Sequence, residues 1–190
     1  MKVEQMLTGP FEPTNSAYAA AKYAGMEMCA AYSKQYGVNY FSLIPASLYG
    51  PNDNFDPESS HVLPALIHRF HQAKVEGKKS IVLWGSGRPK REFMYVDDAA
   101  RAIIYLSETY STGVPMNIGI GEDCEIRELA RLVKKTVGFE GEIVFDTTKP
   151  DGMMRKLVDS SQLMAMGYRA QVNLSEGLEK TYKWYLQNFH

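Results

Sequence analysis

Tyr18 and Lys22 stand four residues apart in the alanine-rich run 16–36. On a helix that spacing puts both side chains on one face, so an ammonium can sit beside a phenol. A free tyrosine titrates near pH ~10, too high to trade protons at neutral pH, but an adjacent cation stabilises the phenolate. Such a pair suits proton transfer to a carbonyl or alcohol oxygen while hydride moves at the carbon. Spacing alone leaves the plainer reading open, a solvated i,i+4 pair. No glycine-rich dinucleotide turn accompanies it: Gly85-x-Gly87 and Gly119-x-Gly121 lack the third glycine, and neither opens a first strand–helix unit. Cys29 and Cys124 have no C-x-x-C spacing and lie in apolar helical patterns, so they read as buried free thiols, and no metal site is expected.

The elements that must position these residues alternate. Residues 1–15, with Gly9, Pro10 and Pro13, read as loop; Thr14 and Asn15 offer an N-cap to a helix over 16–36, closed by Gly37. Its alanines permit close approach of a sheet or a second copy of the helix. Val38–Pro45 reads as a buried parallel strand and 46–60, rich in Gly, Pro, Asn and Asp, as a long loop of the kind that carries function. A helix over 61–76 follows, with Ser59 or Ser60 as cap. Strands are expected at 80–84, 92–96, 116–120 and 142–146, and helices at 97–108, capped by Asp97 and Asp98, and at 126–137, ended by Gly138. After a polar loop at 149–154, Ser160 and Ser175 cap two closing helices. The class is α/β with a mainly parallel sheet.

Composition excludes several partners. The 190 residues carry 21 Lys+Arg against 22 Asp+Glu, a net charge of -1, with no like-charge block, which argues against a nucleic-acid surface or a polybasic membrane anchor. No apolar stretch approaches the ~18 residues a bilayer span needs, and MKVEQMLTGP is too polar for a signal peptide. A cytoplasmic protein is expected.

The strings PTN-x-x-YAAAK, LYGP at 48–51, NDNFDPESSHVLPALIHRFHQAK, WGSG at 84–87, REFMYVDD and KPDG at 149–152 together resemble the GDP-L-fucose synthase family. These are extended short-chain dehydrogenase/reductases, epimerase-reductases of a GDP-4-keto-6-deoxymannose. The resemblance covers nearly the whole chain. It implies a catalytic tyrosine at Tyr18, a lysine at Lys22 that contacts the nicotinamide ribose of NADPH, and a general acid for epimerisation at C3 and C5 at His61, a side-chain type suited to moving protons. It places Pro45, Ala46, Ser47 and Leu48 along the nicotinamide, with Tyr18, Lys22 and His61 also touching cofactor. Arg69, Trp84, Arg91 and Asp151 match contacts to the GDP-sugar substrate. His68, His71 and His190 read as ordinary histidines. The family commonly has Thr-Asn where this chain has Ala46-Ser47, and one serine hydroxyl cannot reproduce both sets of hydrogen bonds.

The resemblance further implies the C-terminal portion of a Rossmann-like NAD(P)-binding sheet, the glycine-rich N-terminal unit absent, plus a smaller α/β substrate-binding domain. Residues 1–60 would belong to the first, 61–190 mainly to the second, and 92–120 would return to the first. NADP binding is expected to be weak without the glycine-rich unit. A homodimer through the helices at 16–36 and 61–76 is expected, and apolar area exposed on the first helix and around Val38 should favour self-association. Two other functions remain open: another NAD(P)-dependent nucleotide-sugar epimerase/dehydratase, and a non-catalytic GDP-sugar-binding or dimerisation module.

Overall fold

In the computed structural model, which describes residues 1–189, the alanine-rich run forms helix α1, Ser16–Tyr36. Gly37 ends it in the left-handed region, φ 65, and its N–H closes on the Ser33 carbonyl. Before it lie two short 3-10 turns, Val3–Gln5 and Pro13–Asn15. Asn15 occupies the N-cap position but its side chain makes no cap bond. The expected strand over 38–45 is shorter: β1 is Leu43–Pro45. Residues ahead of it bond back to the end of α1, the Tyr40 N–H donating to Ser33 Oγ at 3.0 Å and Ser33 Oγ donating to the Tyr40 carbonyl at 2.8 Å.

The loop expected over 46–60 opens with strand β2, Ser47–Tyr49. Helix α2 is Val62–Val75, and β3 is Ser80–Trp84. The strand expected at 92–96 is β5, Phe93–Tyr95, and a further short strand, β4, Lys90–Arg91, precedes it. Helix α3 is Val96–Thr109, β6 Met116–Ile118, β7 Cys124–Glu125, α4 Ile126–Val137 and β8 Glu142–Asp146. The polar loop leads into β9, Arg155–Lys156, then α5, Ser161–Ala165, and α6, Leu174–Asn188.

Three two-stranded pairings are parallel: β1 with β6, β2 with β5 and β3 with β8. A small sheet takes the order β7-β4-β9, with β4 antiparallel to β7 and parallel to β9. The chain leaves that sheet for β5, beside β2, at Glu92, a buried carboxylate that accepts the backbone N–H groups of Ile120, Gly121 and Val158 at 2.7, 2.8 and 3.0 Å. Those bonds satisfy donors at a crossing where no ladder reaches them.

The main core joins α2, α4 and α6 to β3 and β2 through Leu63, Ile67, Phe70, Leu129, Val133 and Leu178. Smaller clusters lie under α3, around Met94 and Ala102, and at the end of β6, around Met116 and Leu163. Helix α1 contributes no buried residue. Ala19, Tyr23, Met26 and Cys29 are half-buried on the side that faces β1, and no residue of the helix is fully buried against the described elements.

Three caps differ from expectation. Asn173, not Ser175, caps α6, accepting from the Glu176 N–H at 3.0 Å. Ser160 precedes α5 without a side-chain cap bond. Asp97 and Asp98 fall within the first turn of α3, whose cap position is Tyr95. The buried Asp98 carboxylate instead accepts the N–H groups of Gln171 and Val172, both at 2.9 Å, and pairs with Arg101 at 2.6 Å.

Candidate functional site

Tyr18 and Lys22 occupy one face of α1, as the i,i+4 spacing requires, with the Lys22 ammonium over the phenol ring 5.5 Å from its centroid. Tyr18 is 59% exposed. Both residues open onto a cavity of about 790 Å³, closed opposite by Leu43, Ile44 and Pro45 of β1 and below by Met6 and Phe11. The walls are largely apolar, and among the described residues Lys22 is the one cation lining them. Cys29 also lines the cavity; it is free and half-buried rather than buried, because it borders this open space. Cys124 is likewise free and only partly buried, with its thiol pushed up to about 11 by burial and by Glu128 and Asp123 nearby.

From Pro45 the strand end diverges. Ala46 is buried, its N–H donating to the Ile118 carbonyl at 2.8 Å. Ser47 is exposed in register with Phe93. Leu48 is half-buried and borders a separate recess of about 190 Å³ with Asp53 and Val96. His61 is exposed and holds the N-cap position of α2, its carbonyl accepting from the Ala65 N–H at 3.0 Å. The cap expected at Ser59 or Ser60 is not there, since Ser59 Oγ donates to Asp56 Oδ1 at 3.0 Å and accepts from Asn54 Nδ2 at 2.9 Å.

The four remaining residues gather along β3 and the loop before β9. Arg69 donates to the Val82 carbonyl at 2.6 Å beside a recess of about 450 Å³ that it shares with His68 and Lys78. Trp84, at the end of β3, is 73% exposed, with the Lys149 ammonium 5.7 Å from its ring centroid. Asp151 accepts from the N–H and hydroxyl of Ser86 at 2.8 and 2.6 Å, and those bonds hold its carboxyl below the usual carboxylate range. Arg91 donates to the Met153 carbonyl at 2.7 Å, and burial lowers its otherwise very high pKa. A charged and aromatic surface thus forms from Trp84, Lys149, Asp151 and Arg91. Lys149 was not singled out by sequence, although it sits in the same KPDG string as Asp151.

Tyr18, Lys22 and Pro45 share one cavity, and Arg69 borders another that has no lining residue in common with it. His68 and His71 pair through Nδ1 with the hydroxyls of Tyr185 and Tyr182, at 2.9 and 3.0 Å, as packing histidines do. His190 lies outside the described residues. No group of metal-ligating side chains is assembled among the described residues, and none of their helices is long and apolar enough to cross a membrane.

A parallel α/β framework with a Tyr–Lys pair beside a strand end defines a class. Residues 1–119 match the NAD dependent epimerase/dehydratase family, and the chain belongs to that family. Within it, the chain is 55% identical over 183 residues to GDP-L-fucose synthase 1 of Arabidopsis thaliana, covering 96% of this chain and 57% of that protein. The fold superimposes on a GDP-L-fucose synthetase from Naegleria fowleri bound to NADP with a TM-score of 0.93 at 31% identity, covering 100% of this chain and 61% of that one. A GDP-D-glycero-L-gluco-heptose synthase from Campylobacter jejuni, solved in the presence of NADPH, gives 0.90 at 35% identity, covering 98% and 65%. The chain thus spans well under two thirds of the length of the curated relative, and its architecture matches part of a Rossmann-like epimerase/reductase.

Proposed function

We propose that this chain supplies the proton-transfer and sugar-contacting residues of an NADPH-dependent epimerase-reductase that converts GDP-4-dehydro-6-deoxy-D-mannose to GDP-L-fucose. One observation carries the reading: Tyr18 and Lys22 share a helix face and open, with Pro45, onto one cavity of about 790 Å³. The names of the relatives agree with it.

The cavity fits the nicotinamide end of a dinucleotide, with apolar walls for the ring and one ammonium for the ribose hydroxyls. Tyr18, Lys22 and Pro45 line that cavity and would hold the ring there, while Ala46, Ser47, Leu48 and His61, read as touching the cofactor, lie outside it. Bound NADPH supplies the hydride that reduces C4. Tyr18 gives its hydroxyl proton to the sugar O4, and the ammonium over its ring stabilises the negative charge left behind. His61, exposed at the start of α2, serves as the proton donor at C3 and C5. Arg69 and Arg91 suit a diphosphate, Trp84 offers a ring face to base or sugar, and Asp151 accepts from hydroxyl groups. With Lys22 the sole cation on the cavity wall, NADPH binding to this chain is weak.

This reading assigns 1–60 and 92–120 to the cofactor side and the rest of 61–190 mainly to the substrate side, supported by the pairing of β1 with β6 and β2 with β5. Cytoplasmic placement fits two thiols that form no disulfide. Calorimetric titration with GDP-mannose tests the proposal. Binding that Trp84→Ala weakens supports it, and no binding of the GDP-sugar overturns it.

A second reading, a dimerisation module, is favoured by α1, which buries none of its residues. A homodimer through α1 and α2 would cover that surface and is compatible with the first reading.

A further inference from the structure

The loop joining β2 to α2 is bonded to itself and pinned to the core. Asn52 turns it with a left-handed φ of 66. Asn54 Oδ1 accepts the Asp56 N–H at 3.0 Å, and Asp56 Oδ1 accepts the N–H groups of Glu58 and Ser59 at 2.9 and 3.0 Å. Phe55 is fully buried, with ring centroids 5.9 Å from Trp184, 5.0 Å from Tyr185 and 5.4 Å from Phe189. An anchored aromatic inside a self-bonded loop fixes the residues on either side of it, here Asp53 and His61, relative to each other.

Asp53 is incompletely satisfied. Its Oδ1 accepts the Asn54 N–H at 2.7 Å, whereas Oδ2 is buried without a hydrogen-bond partner among the described residues. A buried carboxylate oxygen left unpaired is costly, and native structures seldom keep one without a use. Burial pushes the Asp53 carboxyl up, while the Asn54 N–H and the nearby charge of His61 pull it down. His61 is the one ionisable side chain acting on that carboxyl, and it is exposed, so its ring is free to turn. Asp53 also borders the recess that contains Leu48, the residue at the strand end read as lying along the nicotinamide.

We propose that Asp53 is a positioning residue for His61, its free Oδ2 accepting an N–H of the imidazole and so deciding which ring nitrogen faces the sugar. The inference rests on the reading of His61 as the proton donor. An imidazole that delivers a proton must present a fixed nitrogen, and a carboxylate on the opposite nitrogen sets both tautomer and orientation. When the ring gives its proton to the sugar carbon it becomes neutral, and the N–H that remains is the one bonded to Asp53.

The test is made on the 190-residue chain and needs no turnover, so its outcome is separate from that of the GDP-sugar titration. With nitrogen-labelled histidine, the His61 ring nitrogens report the tautomer ratio of the neutral imidazole by NMR, assigned by loss of the signals in His61→Gln. Asp53→Asn is expected to shift that ratio roughly tenfold, as loss of one charge-assisted hydrogen bond does, and Asp53→Glu to restore part of it. An unchanged ratio in a folded Asp53→Asn chain overturns the proposal. If Asp53→Asn does not fold, the same contact is read from the other side: His61→Gln should move the carboxyl carbon resonance of Asp53, and a resonance that stays in place overturns the proposal equally.

Discussion

The Lys22 ammonium lies over the face of the Tyr18 ring, 5.5 Å from its centroid, rather than beside the hydroxyl. On the proposed reading the cation acts through the ring, and the hydroxyl is left for a substrate oxygen. Phenylalanine keeps that ring face, so Tyr18→Phe removes the transferable proton while the lysine retains its seat. In a preparation that turns over the GDP-keto-sugar, Tyr18→Phe should slow NADPH consumption by about 10²–10⁴-fold and leave solvent deuterium incorporation at C3 and C5 measurable. His61→Asn should do the opposite, suppressing deuterium incorporation. Mass spectrometry of the sugar with absorbance of NADPH separates the two, and an inverted pattern would overturn both assigned roles.

Two buried acids give the chain opposing pH responses. At Asp98, burial pushes the carboxyl up, but the Gln171 N–H, the Arg101 guanidinium and the Val172 N–H outweigh it and hold it below the usual carboxylate range. Its folded form binds protons less readily than its unfolded form, so its stabilisation is present above the unfolded pKa and is lost as pH falls through the folded one. At Glu92, burial outweighs the N–H bonds of Gly121, Val158 and Ile120 and raises the carboxyl. Its contribution is present below the unfolded pKa and is lost as pH rises through the folded one. Denaturant melts across the acid limb should therefore become less pH-dependent in Asp98→Asn and more so in Glu92→Gln. Each substitution also turns an amide N–H₂ toward backbone donors, costing about 1–3 kcal/mol at neutral pH.

What the sequence discloses about the fold depends on how local each signal is. Gly37 and Gly138 end α1 and α4 where expected because a left-handed residue stops a helix by its own geometry. Strand β2 hides in a loop-like string because three residues carry no period, and only pairing with β5 makes them a strand. Ser59 and Ser175 look like caps as much as the true cap Asn173 does; Ser59 is withdrawn by Asp56, a contact no spacing rule contains. At the site, Tyr18 and Lys22 are legible from spacing, whereas His61, Arg69, Trp84, Arg91 and Asp151 stand out only through the family resemblance. Asp53 is legible from neither, since an unpaired buried oxygen is a property of the folded loop.

Glycine substitution should have opposite signs at two helical positions. In α6, a Cβ at Gly177 would collide with the Tyr49 hydroxyl and come within 2.8 Å of its Cζ, and Tyr49, the last residue of β2, is itself buried. Neither side can yield, so Gly177→Ala should destabilise by about 1–3 kcal/mol despite the better helix propensity of alanine. In α1, a Cβ at Gly25 meets nothing within 4 Å. Gly25→Ala should stabilise by about 0.5–1 kcal/mol through propensity alone. Thermal melts of the pair decide it, and a stabilising Gly177→Ala would mean that α6 does not lie against Tyr49.

The exposed length of α1 predicts association. Met28, Tyr32 and Tyr36 are exposed at 59, 47 and 61%, spaced by four along one stripe, with Tyr40 packed 6.3 Å from Tyr32 at its end. An apolar stripe on a helix that buries nothing of its own gains by meeting another surface, at about 25 cal/mol for each Å² covered. Sedimentation of the chain should show a dimer or larger species whose proportion rises with concentration. Tyr32→Glu, at the middle of the stripe, should shift it toward monomer without lowering the melting point of the core, which lies in α2, α4 and α6. A wild-type chain that sediments as monomer at high concentration would show that the stripe is not a contact between copies.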